Sequence, residues 1–268
     1  MIETLKTVHV LPSNATLEFH QSLYLDREAM TLIPDRVFVN ERGDYLFETN
    51  SLGLRGPEPS PGQRIAVVWG DSVVFSMVGQ GWPELINNDA LDCLFLNGGV
   101  EGATYLQIIK RALAINRRRP ATLNLLMLGW TPYPGNRYVC DDLEDALAEL
   151  PNPVLVTQPT CLNPALAQCD LRATFCSDAD DLRHFGFLGA STYSVPLQQA
   201  LFDHIFERNT MVRAVARKTG TPLIDLYACL DTNSLRDFRR NFLDISHPRV
   251  AAYPLIAKLV RESVRPFL

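Results

Sequence analysis

A serine, an aspartate and a histidine are placed in this chain where they could act on one another. Gly70-Asp71-Ser72 follows directly on the apolar run Ile65-Ala66-Val67-Val68-Trp69, which sets a hydroxyl at the C-terminal edge of a buried β-strand. Open α/β sheets carry their chemistry at that edge. Far downstream, Asp244-Ile245-Ser246-His247 supplies a carboxylate and an imidazole three residues apart, just ahead of a helical segment. A hydroxyl is a poor nucleophile at neutral pH, so a base must take its proton during attack. An imidazole, with an unperturbed pKa of about 6.5, suits that task. A carboxylate beside it would fix the tautomer and stabilise the imidazolium. Ser72, His247 and Asp244 are thus the inventory of nucleophilic acyl transfer through an acyl-serine. Asp71 reads as structural, accepting backbone N–H bonds around the serine turn.

Residues 1–60 and 61–268 differ in texture. In the first part, Val37-Phe38-Val39, the Gly43-containing turn and Tyr45-Leu46-Phe47 read as a β-hairpin, followed by a stiff connection at Pro57, Pro59 and Pro61. This part is expected to be a small arm packed on the rest. From residue 64 onward apolar runs alternate with helical periodicity, the pattern of βαβ units around a parallel sheet. Strands are expected at 65–69, 93–96, 123–128, 153–157 and 222–226. Helices are expected near 82–90, 104–118, 142–149, 195–219 and 248–263. The segment 158–194 lacks periodicity and reads as an insertion or lid over the active face. Small residues recur after the strands, in Asn97-Gly98-Gly99-Val100-Glu101-Gly102 and in Gly129-Trp130-Thr131-Pro132-Tyr133-Pro134-Gly135-Asn136, where backbone amides could approach a ligand closely.

Composition narrows the function classes. With 268 residues and 47% hydrophobic residues the chain can bury a substantial core. A net charge of −5 gives no electrostatic reason to expect nucleic acid or an anionic membrane as partner. Arg117-Arg118-Arg119 reads as a solvated helix end before Pro120. No apolar stretch is long enough to span a bilayer, and the N-terminus lacks the basic-then-apolar layout of a secretory signal, so the expected location is cytoplasmic. Six cysteines are no disulfide framework at this length. Cys161, Cys169 and Cys176, with His184 close behind, do not have zinc-ligand spacing. They read as thiols of a loop-rich insertion, with a bridge among them as the alternative.

Gly-Asp-Ser after an apolar strand, an Asn-x-Gly-x-x-Gly block and a late Asp-x-x-His-Pro together resemble the SGNH (GDSL-type) hydrolase family over roughly residues 60–268. The resemblance implies a three-layer α/β/α sandwich, flavodoxin-like, with a five-stranded parallel sheet. It implies Ser72 as nucleophile, with Asp244 and His247 as its partners. The oxyanion hole would use the backbone N–H groups of Ser72 and Gly102 and a side chain from the third block. The family has Gly-x-Asn-Asp there, whereas this chain has Gly129-Trp130-Thr131-Pro132, so Thr131 stands in the asparagine's place and Asn136 follows five residues later. Either could donate. The implied activity is ester hydrolysis, with no metal or organic cofactor, and the lack of a signal and of a lipid-binding helix favours a small soluble ester over a bilayer substrate. An acyltransferase on the same site and a non-catalytic binding protein of the same fold are the alternatives. Trp130, Tyr133 and Arg137 either line the acyl or leaving-group pocket or simply pack the loop. Phe185, Phe187 and Tyr193 read as core or lid wall.

Overall fold

The computed structural model describes residues 6–11, 24–26, 31–76, 80–87, 91–129, 140–161, 167, 195–230, 240–242 and 246–268. Ten strands and six α-helices are found there. They run β1 (Thr7–Leu11), β2 (Tyr24–Asp26), β3 (Thr31–Leu32), β4 (Arg36–Asn40), β5 (Tyr45–Glu48), β6 (Ile65–Gly70), α1 (Ser72–Phe75), β7 (Leu94–Gly99), α2 (Tyr105–Arg118), β8 (Leu123–Met127), α3 (Cys140–Glu149), β9 (Pro153–Val156), α4 (Val195–Thr219), β10 (Leu223–Ile224), α5 (Leu226–Cys229) and α6 (Tyr253–Val264).

The main sheet has the order β10-β9-β8-β6-β7 with every pairing parallel. The chain leaves β6 for β7 on one side, then returns across it to β8 on the other. Strand order therefore reverses beside β6, and this is where an open α/β sheet leaves a crevice at its carboxyl ends. Ser72 stands at that point. Side chains alternate between two cores, as a period of two requires. Ala66, Val68, Leu125, Met127, Val154 and Val156 face a core completed by Tyr253, Ile256 and Val260 of α6. Val67, Trp69, Leu126 and Leu155 face another, completed by α2, α3 and the C-terminal half of α4. Helices thus cover both faces, in three layers.

Helix α2 shows how directly the sequence writes an element. Thr104 and Gln107 form a reciprocal capping box, and Ile108, Ala112 and Ile115 are buried at helical spacing. Arg117 and Arg118 close its last turn, with Arg119 as C-cap.

At the N-terminus β4 and β5 form the expected hairpin, with Gly43 at φ +82° in its turn. β1 joins it in parallel with β4, and β2 pairs with β3, neither of which the hydropathy pattern announces. Phe38 and Phe47 belong to the same core as Trp69, so the small sheet packs on the large one.

Three expectations need correction. Residues 82–87 contain only a 3-10 turn, Glu84–Ile86, where a helix was expected. The last helix begins at Tyr253 behind a 3-10 turn at Val250–Ala252, with a proline in its first turn. The final strand is two residues long, because Asp225 turns its carboxylate to cap α5 and ends the ladder. Among the described residues no helix is long and apolar enough to cross a membrane.

Candidate active site

The end of β6 turns sharply into the short helix α1. Asp71 is its N-cap, and its carboxylate accepts the Val73 N–H at 3.0 Å. The aspartate takes the capping role open to Ser72, and the serine becomes the first residue of the helix. Gly99 lies against this turn, and any Cβ there would collide with the Val74–Phe75 backbone. The Val100 N–H donates to the Gly70 carbonyl at 3.0 Å, which ties the β7 loop to the strand that leads into Ser72. Gly102 follows at φ +68°, a left-handed conformation that favours glycine. Among the described residues, no protein acceptor takes the backbone N–H of either Ser72 or Gly102. The first turn of a helix leaves such groups available.

Three buried arginines fix the carbonyls of this edge. Arg55, 1% exposed, donates to Phe75 O and Ser76 O, lies 4.9 Å from the ring centres of Phe47 and Phe75, and meets Glu84 at 3.4 Å. Arg111 of α2 donates to Gly98 O beside the Trp69 ring. Arg208 of α4 donates to Gly129 O and lies over Tyr105. Burial lowers Arg208 to about 9, opposed by the charge of Asp71. Each guanidinium supplies donors to carbonyls at the end of a different strand or turn, which water would otherwise have to solvate. Sequence reasoning gave these arginines no role. The available signal was position, since Arg111 and Arg208 fall on the apolar stripes of their helices, three residues after Ile108 and Ile205.

His247 comes from the loop before α6. Its Nε2 lies 2.8 Å from Ser72 Oγ, joining residues 175 apart in sequence. Nδ1 has Ser246 Oγ at 3.4 Å, a long contact. Ser72, His247 and Gly102 therefore gather at one corner of the sheet. Asp244, Thr131 and Asn136 lie outside the described residues, as do Trp130, Tyr133, Arg137, Cys169, Cys176, His184 and nearly all of the expected lid. Glu101, which the sequence reading passed over, sits here too. It is 6% exposed, and burial raises its carboxyl to about 7, a rise that the charge of His247 opposes. An acidic residue between the buried Val100 and a left-handed glycine is unusual enough to have marked it. Among the described residues no three His, Cys, Asp or Glu side chains converge as a metal ion would require.

No family model matches the sequence, and no curated protein does. Solved structures do. A lipase/acylhydrolase from Enterococcus faecalis superposes with a TM-score of 0.53 at 18% identity, over 76% of this chain and 96% of that one. A member of the lipolytic G-D-S-L family from Veillonella parvula gives 0.52 at 18%, over 74% and 97%. A catalytic mutant of an acetylxylan esterase from Geobacillus stearothermophilus gives 0.50 at 14%, over 76% and 94%. The chain therefore has the fold of the GDSL-type (SGNH) hydrolases, extended by a small N-terminal sheet.

Proposed function

We propose that the protein is a serine esterase that cleaves a small soluble ester through an acyl-Ser72 intermediate. The observation that carries this reading is the 2.8 Å contact between Ser72 Oγ and His247 Nε2 at the switch point of the sheet. His247 takes the serine proton as Oγ attacks the ester carbonyl, then returns it to the departing alcohol. Water, activated by the same imidazole, releases the acid. The Ser72 and Gly102 N–H groups stabilise the oxyanion, with Thr131 or Asn136 as third donor and Asp244 orienting the imidazole. The lipases, acylhydrolases and acetylxylan esterase of the same fold support ester cleavage as the reaction class.

A fluorophosphonate probe and p-nitrophenyl acetate test the reading together. Wild-type protein should label at Ser72 and turn over. Ser72→Ala should not label, and its kcat, like that of His247→Ala, should fall on the order of 10⁴-fold or more. A folded wild type that neither labels nor turns over supports a binding protein instead. Transfer of acetyl to an added alcohol in preference to water supports an acyltransferase.

A further inference from the structure

We propose that Glu101 is a second carboxyl of the active centre, a positioning residue whose ionised form favours the imidazolium of His247 and so sets the pH range in which Ser72 is activated. The proposal rests on the reading of Ser72 and His247 as the reacting pair. Its geometric basis is the loop after β7. The Val100–Gly70 hydrogen bond anchors this loop beside the nucleophile turn, and Glu101 is the next residue. Glu101 immediately precedes Gly102, and at 6% exposure it is closed off from bulk solvent, where charges interact strongly. His247 reaches the same corner, already bonded to Ser72 Oγ.

Among the described residues, the other charged and titratable groups of this edge have partners of their own. Asp71, from the end of β6, caps α1 and is matched by the charge of Arg208 from α4. Tyr105 of α2 lies beneath that guanidinium, and Arg111 of α2 donates to Gly98 O. For Glu101 the opposing charge is that of His247. Coupling between two ionisable groups is reciprocal. If an imidazolium makes the carboxyl easier to ionise, the carboxylate makes the imidazole easier to protonate by the same amount. During acylation His247 becomes an imidazolium, so a carboxylate at residue 101 stabilises the charge that develops there. Where two groups are coupled in this way, the protons leave in steps that belong to the pair.

The test follows the His247 Cε1 proton by NMR from pH 4.5 to 9 in Ser72→Ala protein, with and without Glu101→Gln. Because this titration needs no substrate, it stands apart from whether the protein is an esterase. The expected result is two inflections in the parent. In Glu101→Gln a single inflection should remain, with an apparent pKa lower by ~0.5 unit or more. On the Ser72-containing enzyme, the acid limb of kcat/KM for p-nitrophenyl acetate should move to lower pH by a similar amount, with a lower plateau. Superimposable His247 titrations in the two proteins overturn the proposal, even where turnover confirms the esterase. Loss of thermal stability in Glu101→Gln with an unchanged titration likewise overturns it and assigns the residue a purely structural role.

Discussion

The two sides of the Ser72–His247 contact are held in different ways. On the serine side, the carbonyls of residues 75, 76, 98 and 129 are matched to guanidinium groups from three separate parts of the chain. Arginines remain cationic across the neutral range, and Arg208, lowered to about 9, does so as well. On the histidine side stand an imidazole and a carboxyl raised to about 7. Ser72 is thus presented by a framework that does not change with pH. His247, its proposed proton acceptor, sits beside a carboxyl that does. On the proposed reading, fixed charges set geometry and titrating charges set reactivity, within one corner of one sheet.

The largest effect should come from breaking the fixed side. Arg55→Met keeps the length of the side chain but removes its charge. It leaves the Phe75 and Ser76 carbonyls without their donor and the nearly buried Glu84 without its cation. Removing one partner of a buried pair costs about 3–5 kcal/mol. Urea denaturation should show a loss of that size, with turnover reduced in the fraction that stays folded. A loss below about 1 kcal/mol would mean that water serves those carbonyls equally well and that the clamp does not exist.

The titrating side should show itself as a pH-dependent stability. The Glu101 carboxyl is raised from its ordinary 4.5 to about 7 by burial, so the folded protein binds this proton more tightly than the unfolded chain. Below pH 4.5 both states hold the proton. Between 4.5 and 7 the unfolded chain gives it up first, and stability falls with rising pH. Above 7 the deficit is complete, about 3 kcal/mol for a shift of this size. Glu101→Gln lacks this term. The stability of the wild type relative to the variant should therefore decline by about that amount from pH 4.5 to 8, as measured by urea denaturation at each pH. A constant difference would place the carboxyl in contact with water and remove the contrast between the two sides.

These two sides were unequally legible in the sequence. The parallel sheet and its helices follow from apolar runs and 3.6-residue periodicity, which are local signals. Ser72 and His247 could be paired because each falls in a short motif at an element boundary, Gly70-Asp71-Ser72 and Asp244-Ile245-Ser246-His247. The arginine clamps are different in kind. A lone arginine on an apolar stripe resembles a solvated residue until tertiary packing brings a carbonyl to it, and the partners of Arg208 lie as far away as Gly129 and Asp71. The 3-10 turn at Glu84–Ile86 was missed for a related reason. Arg55 and Asn97 both engage Glu84, so contacts with distant residues hold a segment whose composition favours a helix. Propensity yields to such contacts.

The smallest effect concerns a residue that belongs to neither side. Gln158 follows β9 at the same edge of the sheet. Its backbone N–H and carbonyl are both bonded to the side chain of Asn209, at 2.9 Å each, so its main chain is as firmly held as the serine turn. Its carboxamide, by contrast, is 1% exposed and makes no hydrogen bond with any described residue. A buried amide without partners costs about 1–3 kcal/mol, and an apolar group of the same shape avoids that penalty. Gln158→Met should therefore raise stability by about 1 kcal/mol, readable as a higher urea midpoint at unchanged slope. Turnover of p-nitrophenyl acetate then decides what the amide is for. Unchanged turnover makes it an idle polar atom in the framework. A stabilised variant with reduced kcat would move Gln158 from the framework to the reacting side, as a group kept unpaired for the substrate.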